Sequence, residues 1–591
     1  MNNLGPSKRS RISITLLRLF SGLIVASLLM VGAASTSVFA APRPTTNIQI
    51  LNVSDWHGQL DPISVANVGN VGGAAVISAY WQADRAANPN TLTLTAGDDF
   101  GASPPLSNFF DEVPAVLAQR MMGIQVNTFG NHNFDRGIAH LQCMVNIAAA
   151  PNDSGFTPGV YDMDSGCPLT GGGPGSPFSY VSANLMNRDQ NLTGVEDFRI
   201  FTVGGVKVAV IGLTNPEAPT LVFPGSFGTI VPTDPVQAAL KARGVAMSAG
   251  AEIVIVITHM GVTGFNGTTP FGPLIDFAKA VNKEAKKPKI DVIVGDHTDI
   301  QFSGTINGAL VYENRSKGLT YAKANLTVDS ATHKILNQSV TFVTPLSSAV
   351  TPDPAIVAML QPYRTELSAA LDAPIGVATN VFPRGGNVER SGEVAIGNLI
   401  ADSLRWRYGT QLALTNSGGI RAPLPSSYLP ADHTLRRTSP GYAAGPPYDL
   451  VIGDIFTVLP FGNSVVTRTV TGAQLWAALE NGVSQINAGT CLGADGRFPQ
   501  ISGFKFTFQC SLPAGSRVLS VALSDNTPIP PDGTTYTFAT NDFVNAGGDS
   551  YTMFKDGQGT TREVMADVLQ AYVEFLGTIT PTIEGRITKV P

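Results

Sequence analysis

Metal-type side chains follow five short apolar runs in the first half of this 591-residue chain. The runs are rich in β-branched residues and are typical of buried strands. Ligands gather at the carboxyl ends of strands in open α/β sheets, so the pattern predicts one shared site. The motifs at the ends of the runs are AspTrpHisGly at 55–58, GlyAsp at 97–98, GlyAsnHisAsnPheAsp at 130–135, ThrHisMetGly at 258–261 and GlyAspHisThrAsp at 295–299.

These motifs offer imidazole, carboxylate and amide groups but no thiolate. A mixed nitrogen and oxygen set suits Zn, Mn, Co or Fe, whereas an all-oxygen set would suit Mg or Ca. Any one motif alone would be an ordinary turn more often than a ligand. The combination supplies more than four candidate ligands and predicts two divalent ions, which can clamp a phosphoryl oxygen and activate a water.

The elements that must position these residues alternate between strands and helices from about 46 to 345. Such alternation predicts an α/β layered domain. Helices are predicted at 74–85, 113–122, 235–249 and 273–286. A stretch rich in Gly, Pro and Ser at 151–177 is interpreted as a surface loop.

The character of the chain changes after residue 345. Apolar residues at helical spacing predict a connecting helix at 355–371, within a linker at 346–374. Residues 375–588 carry their own apolar runs and a further predicted helix at 473–481. We therefore expect a second α/β domain.

Residues 1–40 have the pattern of an export signal, with basic residues before an apolar run and ValPheAla ending at Ala40. The alternative is an uncleaved membrane anchor. Cleavage removes four basic residues and no acidic residue, so the net charge falls from −6 to −10. The sequence predicts a periplasmic or secreted protein without stable membrane insertion, and its acidity argues against binding a nucleic-acid polymer.

The four cysteines fall into two local pairs, Cys143 with Cys167 and Cys491 with Cys510. Neither pair has the CysXXCys spacing of a metal site. Disulfides are the favoured interpretation in an exported chain.

The order of the five motifs resembles that of the calcineurin-like metallophosphoesterases. GlyAsnHisAsnPheAsp is similar to the GlyAsnHisGluPheAsp signature of the bacterial and ecto 5'-nucleotidase family, with Asn133 in place of Glu. The resemblance implies a layered β-sandwich flanked by helices, joined by a linker helix to a C-terminal nucleotide-binding domain.

By position, the resemblance implies that Asp55, His57 and Asp299 hold one ion. Asn131, His259 and His297 would hold the other, with Asp98 bridging the two ions. His132 would stabilise the transition state or protonate the leaving oxygen, and Asp135 would orient it. Asp299 stands where relatives often have Gln or His, so we expect tighter divalent binding. The remaining carboxylates of interest, Asp61, Asp99 and Asp296, are interpreted as solvated or adjacent to the ligands. The other histidines, His140, His333 and His433, are interpreted as surface residues or residues with satisfied partners.

The second domain adds a nucleotide-binding set by the same resemblance. Arginines would face the phosphate, phenylalanines would sandwich the base, and polar side chains would meet the ribose or complete the loop motif. These residues are Arg390, Arg421, Phe461, Phe543, Asn416, Asp549 and Asn463.

The sequence thus predicts a dimetal hydrolase that removes phosphate from small-molecule nucleotides, most simply 5'-nucleotides, by attack of a metal-bound hydroxide. The same centre could instead cleave UDP-sugars, other pyrophosphates or 2',3'-cyclic nucleotides. A non-catalytic protein that binds nucleosides or metals is the alternative from another class.

Overall fold

The computed structural model describes residues 44–65, 67–153, 173–283, 290–384, 386–491, 493 and 495–590. The predicted export signal, Cys167 and the end of the helix predicted at 273–286 lie outside the described residues. From Thr46 onward the chain forms one compact unit. In the part of the chain that the structure describes, no helix combines the length and the hydropathy needed to cross a bilayer.

Two six-stranded sheets form the centre of the N-terminal half. In spatial order, the first sheet contains Ile335–Val343, Tyr321–Asp329, Thr45–Val53, Thr91–Thr95, Val126–Asn127 and Ser179–Tyr180. The second contains Phe302–Ile306, Ala309–Glu313, Val292–Val294, Ile253–Thr258, Val206–Leu213 and Phe198–Val203. The strands that precede the five motifs pair in parallel with neighbours in both sheets.

The period-2 pattern of the strands explains why the sheets pack face to face. In Ile253–Thr258, Ile255 and Ile257 belong to the core between the sheets, together with Ile50 of the first sheet. Val254 and Val256 face the opposite way, into a core shared with the flanking helices. Strands covered on both faces read as continuous apolar runs, and the predicted layered fold is confirmed.

Helices cover the outer faces of the two sheets. Val113–Met122 begins with a Pro in its first turn and ends at Gly123 in the left-handed conformation, while Asp234 caps Pro235–Ser248 by accepting from two backbone N–H groups. The helices of this half are Ala74–Ala87, Pro105–Asn108, Val113–Met122, Gly137–Ala149, Arg188–Asn191, Pro235–Ser248 and Pro273–Val281. Short two-stranded ribbons complete it: Ile63–Val65 with Gly69–Val71, Leu185–Met186 with Val231–Pro232, and Gly264–Asn266 with Thr269–Phe271.

The connecting helix is Pro354–Leu371, capped by Asp353. Its apolar residues Ile356, Leu360 and Tyr363 join the core of the N-terminal half. The predicted helix therefore forms, and it packs on the first half rather than standing free.

The C-terminal half has a five-stranded sheet and two three-stranded sheets. The five-stranded sheet contains Pro499–Ser502, Leu412–Asn416, Thr535–Asn541, Ser464–Thr471 and Thr560–Val564. The smaller sheets contain Tyr448–Val451, Pro374–Ala378 and Thr578–Ile579, and Val518–Leu523, Phe504–Gln509 and Ile587–Val590. A short ribbon pairs Arg436–Arg437 with Ala443–Ala444. The helices are Ala395–Tyr408, Ile452–Val458, Gly472–Gly482, Asp542–Asn545 and Met565–Leu576.

A disulfide joins Cys491 to Cys510, with their Cα atoms 5.4 Å apart. It ties the loop after Gly472–Gly482 to the end of Phe504–Gln509. The prediction of a disulfide in this half is confirmed, while the pairing of Cys143 with Cys167 lies partly outside the described residues.

Candidate metal centre and nucleotide cavity

The side chains that follow the strands of the two sheets meet at one edge of the sandwich. Asp98 follows Thr91–Thr95 in the first sheet, and His259 follows Ile253–Thr258 in the second. Nε2 of His259 lies 3.0 Å from Oδ2 of Asp98 and 3.8 Å from Oδ1 of Asp55. Residues far apart in sequence therefore converge because both sheets end at the same place.

Three groups of side chains place one potential ligand atom each within 4.8 Å of one another. The predicted ligands Asp55, His57, Asp98, His259 and His297 all occur in these groups, and all except His297 are nearly or fully buried. The groups are Asp98 with His259 and His297, Asp55 with His57 and Asp98, and Asp55 with His259 and Asp296.

The buried side chains fit divalent cations. Oδ1 of Asp55 and Oδ1 of Asn131 are buried without a hydrogen-bond partner among the described residues. Unpaired buried oxygens are costly, and a cation would satisfy them. His57 holds its Nδ1 at 2.8 Å from the carbonyl of Gly101, which leaves Nε2 as the ligand atom.

Backbone strain is concentrated at the same residues. Asp55, His57, Asp98 and His297 all have positive φ angles, between 40° and 94°. Non-glycine residues rarely adopt this conformation, and such strain clusters at functional sites. The fold therefore accepts conformational strain to aim these side chains at one point.

The charges of the cluster are strongly coupled. Burial and then nearby Asp296 raise the pKa of Asp55. Burial alone would also raise the pKa of Asp98, but His259 and His132 outweigh burial and hold it below its ordinary value. Burial and then Arg421 lower the pKa of His57. The pKa shifts of His57 and Asp98 favour the neutral imidazole and the ionised carboxylate that bind metal, whereas the raised pKa values of Asp55 and His259 favour protonated forms whose protons a cation would displace.

Asp299 has different neighbours from the other predicted ligands. Its Oδ1 accepts from the backbone N–H of Ser316 at 2.9 Å and lies 3.7 Å from Nε of Arg315. It lines the adjoining cavity but is absent from the three ligand groups found among the described residues. Its role as a ligand stays a prediction.

His132 lies beside the cluster and is held by Asp135. Its Nδ1 is 3.0 Å from both carboxylate oxygens of Asp135. The ring packs edge-on against His57, with centroids 5.3 Å apart, and stacks on Phe461 at 5.5 Å. This geometry fixes the ring in one orientation at the wall of the cavity.

A cavity of about 670 Å³ extends from the cluster into the C-terminal half. It is large enough for a nucleotide-sized ligand. The structure brings all of the predicted second-domain residues to its wall: Arg390, Asn416, Arg421, Phe461, Asn463, Phe543 and Asp549.

The end of the cavity beside the metal cluster is cationic. Burial and then Arg390 and Arg384 lower the pKa of Arg421 to about 9. The Nε atoms of Arg390 and Arg421 are buried without a hydrogen-bond partner among the described residues. Unpaired guanidinium donors beside one another are suited to the oxygens of a phosphate.

Other parts of the cavity wall are polar and aromatic. Asp549 accepts from Nδ2 of Asn416 at 2.7 Å, and burial followed by nearby Asp495 raises the pKa of Asp549 to about 6. Phe461 and Phe543 both line this space. Gly548 permits a close approach, since a Cβ atom there would lie 2.3 Å from the ring of Phe543.

Sequence reasoning missed two charged residues, Arg384 and Lys317, and left the position of Asp296 open. Arg384 lies 3.2 Å from the buried carboxylate of Glu389, and Lys317 donates to the carbonyl of Arg421 at 2.6 Å. Asp296, which was interpreted as solvated or adjacent to the ligands, is fully buried, with Oδ2 3.6 Å from Nδ1 of His259. No local pattern marks Arg384 or Lys317, whereas Asp296 sits inside a recognised motif.

The other carboxylates and histidines have ordinary partners. Asp99 is fully buried and hydrogen-bonded, so the solvated interpretation is wrong for it, while Asp61 pairs with Arg364. Of the three histidines without a motif, His333 pairs with Glu252 and His433 bonds to the carbonyl of Gly441. His140 is satisfied only at Nε2, which bonds to the carbonyl of Asp111, while its Nδ1 is buried without a hydrogen-bond partner among the described residues.

Comparison with known proteins gives consistent similarities. Residues 374–556 match the family model of the 5'-nucleotidase C-terminal domain. The structure is similar to that of a 5'-nucleotidase precursor from Thermus thermophilus, with a TM-score of 0.74, 26% identity, and coverage of 92% of this chain and 99% of that one.

Two longer proteins are also similar. Endonuclease YhcR of Bacillus subtilis is 28% identical over 93% of this chain, and cell wall protein Lmo0130 of Listeria monocytogenes is 26% identical over 87% of it. The chain spans 41% and 65% of the lengths of these relatives.

Residues 374–556 therefore match the C-terminal domain of the 5'-nucleotidases, and the described structure as a whole has a fold similar to that of the Thermus 5'-nucleotidase precursor.

Proposed function

We propose that this chain is an exported, metal-dependent 5'-nucleotidase that releases phosphate from small-molecule nucleotides. The observation that carries the proposal is that predicted metal ligands and arginines meet in one cavity. Asn131, His297 and Asp299 line the cavity, and so do Arg390 and Arg421, whose Nε atoms are buried without a hydrogen-bond partner among the described residues. A phosphate between them would meet positive charge from both sides.

We propose two divalent ions, one held by Asp55, His57 and Asp299 and the other by Asn131, His259 and His297, with Asp98 shared between them. When bound, such ions supply Lewis acidity and lower the pKa of an attacking water. Zn, Mn, Co and Fe suit the mixed nitrogen and oxygen ligands.

The chain's own residues then bind, orient and exchange a proton with the substrate. Arg390 and Arg421 would hold the phosphate oxygens, and Phe461 and Phe543 would stack on the base, with little preference among bases. Protonated His132, oriented by Asp135, would donate a proton from Nε2 to the leaving 5' oxygen. The nucleoside would then leave as a neutral alcohol.

For the chain as a whole, we propose an export signal at 1–40, a catalytic domain at 46–345, a linker at 346–374 and a nucleotide-binding domain at 375–588. Similarity to a cell wall protein supports function outside the cytoplasm. The longer relatives carry additional chain, so their activities are not transferred.

The test is phosphate release from AMP, UMP, UDP-glucose and cyclic nucleotides, with added Mn²⁺ or Zn²⁺ and with a chelator. We expect release from the 5'-monophosphates, loss with chelator, and loss in Asp98→Asn, because the central carboxylate would be missing. Asp276→Asn, on the exposed face of Pro273–Val281, is the matched control and should retain activity. Nucleotide binding without phosphate release under any metal would favour the non-catalytic binding protein.

A further inference from the structure

A fully buried pair of polar side chains lies behind the metal cluster and is not used in the proposed reaction. Asn133 and Asp99 are both completely buried, and Nδ2 of Asn133 donates to Oδ1 of Asp99 at 2.8 Å. Neither side chain occurs in the three ligand groups or on the cavity wall. Burying two polar groups away from solvent costs free energy unless their hydrogen bonds to the protein compensate for the lost water contacts.

Asn133 joins two of the ligand loops through its side-chain carbonyl. Oδ1 of Asn133 accepts from the backbone N–H of Asp98 at 3.2 Å and from that of Gly130 at 2.8 Å. Asp98 is the residue whose carboxylate would lie between the two ions, and Gly130 immediately precedes Asn131. One amide therefore sets the spacing between the loop at 97–99 and the loop at 130–133.

Asp99 links the loop at 97–99 to a helix, to a strand of the first sheet and to the ligand loop at 55–58. Its Oδ2 accepts from Nε2 of Gln119 at 2.8 Å and from the hydroxyl of Tyr180 at 2.6 Å. The backbone carbonyls of Asp98 and Asp99 accept from the N–H groups of His57 and Gly58, at 2.8 and 2.9 Å. The pair thus lies where all three ligand loops of the first sheet meet.

The hydrogen-bond pattern requires one amide and one carboxylate. Asn133 must accept at Oδ1 and donate at Nδ2, while Asp99 receives three donors and offers none. Two carboxylates would repel one another in this buried position, and two amides would place one donor against another.

We propose that Asn133 and Asp99 are a positioning pair that sets the metal-binding geometry of Asp98, Asn131 and His57, without touching metal or substrate. This inference rests on the proposed function, since it assigns the pair to the proposed metal centre. It also predicts that the amide and the carboxylate are interchangeable. In Asp99→Asn/Asn133→Asp, the new Asn accepts from Gln119 and Tyr180 and donates to the new Asp, which accepts from both backbone N–H groups.

The experiment measures Mn²⁺ binding by calorimetry and the rise in melting temperature on adding Mn²⁺, alongside kcat and KM for AMP. We expect Asn133→Asp and Asp99→Asn each to weaken Mn²⁺ binding by roughly 10- to 100-fold. The exchanged double variant should recover most of the loss, because the hydrogen bond between the two side chains and those to Gln119, Tyr180 and the two backbone N–H groups can re-form. Only the long contact from Nδ2 of Asn133 to the carbonyl of Phe100, at 3.5 Å, is lost. Asn184→Asp is the control, since Asn184 is an equally buried residue that bridges the backbone groups of Thr214. It should lower the melting temperature but leave Mn²⁺ affinity intact.

The pairing would be overturned if the single variants kept their Mn²⁺ affinity. It would also be overturned if the double variant bound Mn²⁺ no more tightly than the single variant with the lower affinity. If the single variants fail to fold, a folded double variant that binds Mn²⁺ still supports the pair, and one that also fails overturns it. An unmodified chain that binds no Mn²⁺ or Zn²⁺ would instead overturn the proposed function.

Discussion

His132 lies beside the predicted metal ligands without belonging to them. Its ring lies beside His57 and is held by Asp135, yet it occurs in none of the ligand groups among the described residues. Its backbone N–H donates to Asp98 at 2.8 Å, a bond that any side chain at this position preserves. The proposed acid can therefore be removed without removing the support for Asp98.

We expect His132→Asn to lower kcat by about 10²- to 10⁴-fold, the usual contribution of a general acid, while Mn²⁺ affinity stays unchanged. Steady-state kinetics with AMP and calorimetry with Mn²⁺ measure the two effects separately. His333→Asn, at a histidine paired with Glu252 at 28% side-chain exposure, is the control. Equal loss of Mn²⁺ binding in His132→Asn would make His132 a ligand rather than an acid.

At the same scale, the sequence identified several residues of the cavity wall but not the charged residues packed behind Arg421. Asp55, His57 and Asp98 follow strand-like runs, so position in the chain marked them. Lys317 reaches Arg421 through the packing of one half against the other, and Arg384 reaches it through the folding of the C-terminal half, where Nε of Arg384 donates to the carbonyl of Ile420. Local sequence carries no signal for contacts of that kind.

Strands and helices could be predicted from the sequence where the spacing of apolar residues agreed with the residues that begin and end the element. Val113–Met122 has the predicted bounds, because Pro begins it and Gly123 ends it. The helix predicted at 273–286 ends earlier, at Val281. There the side chain of Asn282 accepts from the backbone N–H of Ile290 and donates to its carbonyl.

Asp291 begins the strand Val292–Val294 and gives a pH prediction at this scale. Burial raises the pKa of Asp291 to about 6, although its carboxylate accepts from the backbone N–H of Val254. In the unfolded chain it ionises near pH 4. Between about pH 4 and 6 the folded state therefore holds a proton on Asp291 that the unfolded chain has lost. The folded state loses this stabilisation as the pH rises through about 6.

We expect Asp291→Asn, which keeps an acceptor for Val254, to flatten the fall in unfolding free energy between about pH 4 and 7. The difference is at most about 3 kcal/mol, since each pKa unit corresponds to about 1.36 kcal/mol. Urea denaturation across this range measures it, with Asp276→Asn, at an exposed carboxylate, as control. A variant whose pH profile matches that of the unmodified chain would remove Asp291 as the source.

In the whole molecule, the two halves meet directly through the site. Nη2 of Arg421, from the C-terminal half, lies 3.0 Å from Nε2 of His57, and Lys317 reaches back to the carbonyl of Arg421. Because an ion on Nε2 of His57 would compete with Arg421 for the same lone pair, we expect Arg421 to shift when metal binds. The proposed metal ligands lie in one half and the proposed nucleoside contacts in the other, so we expect one half to move relative to the other during turnover.

A short thiol cross-linker between Asn108→Cys and Pro460→Cys tests that movement. Nδ2 of Asn108 donates to the carbonyl of Pro460 at 2.6 Å, so these positions face each other across the two halves. We expect the cross-linked protein to lose most of its turnover, because substrate entry and product release require the halves to separate. The same double variant without cross-linker is the control, and full turnover after complete cross-linking would exclude the movement.

The sequence by itself determined the order of layers, the connecting helix and the ligand types, because strand period, helix ends and the chemistry of Asp, Asn and His are local properties. Only the tertiary structure decided which of these residues come together. It brings Asp98 to His259 across two sheets, buries Asp99 and Asp296, and leaves Asp299 facing Ser316. Those outcomes depend on the packing of distant strands and loops, and no short stretch of sequence encodes that packing.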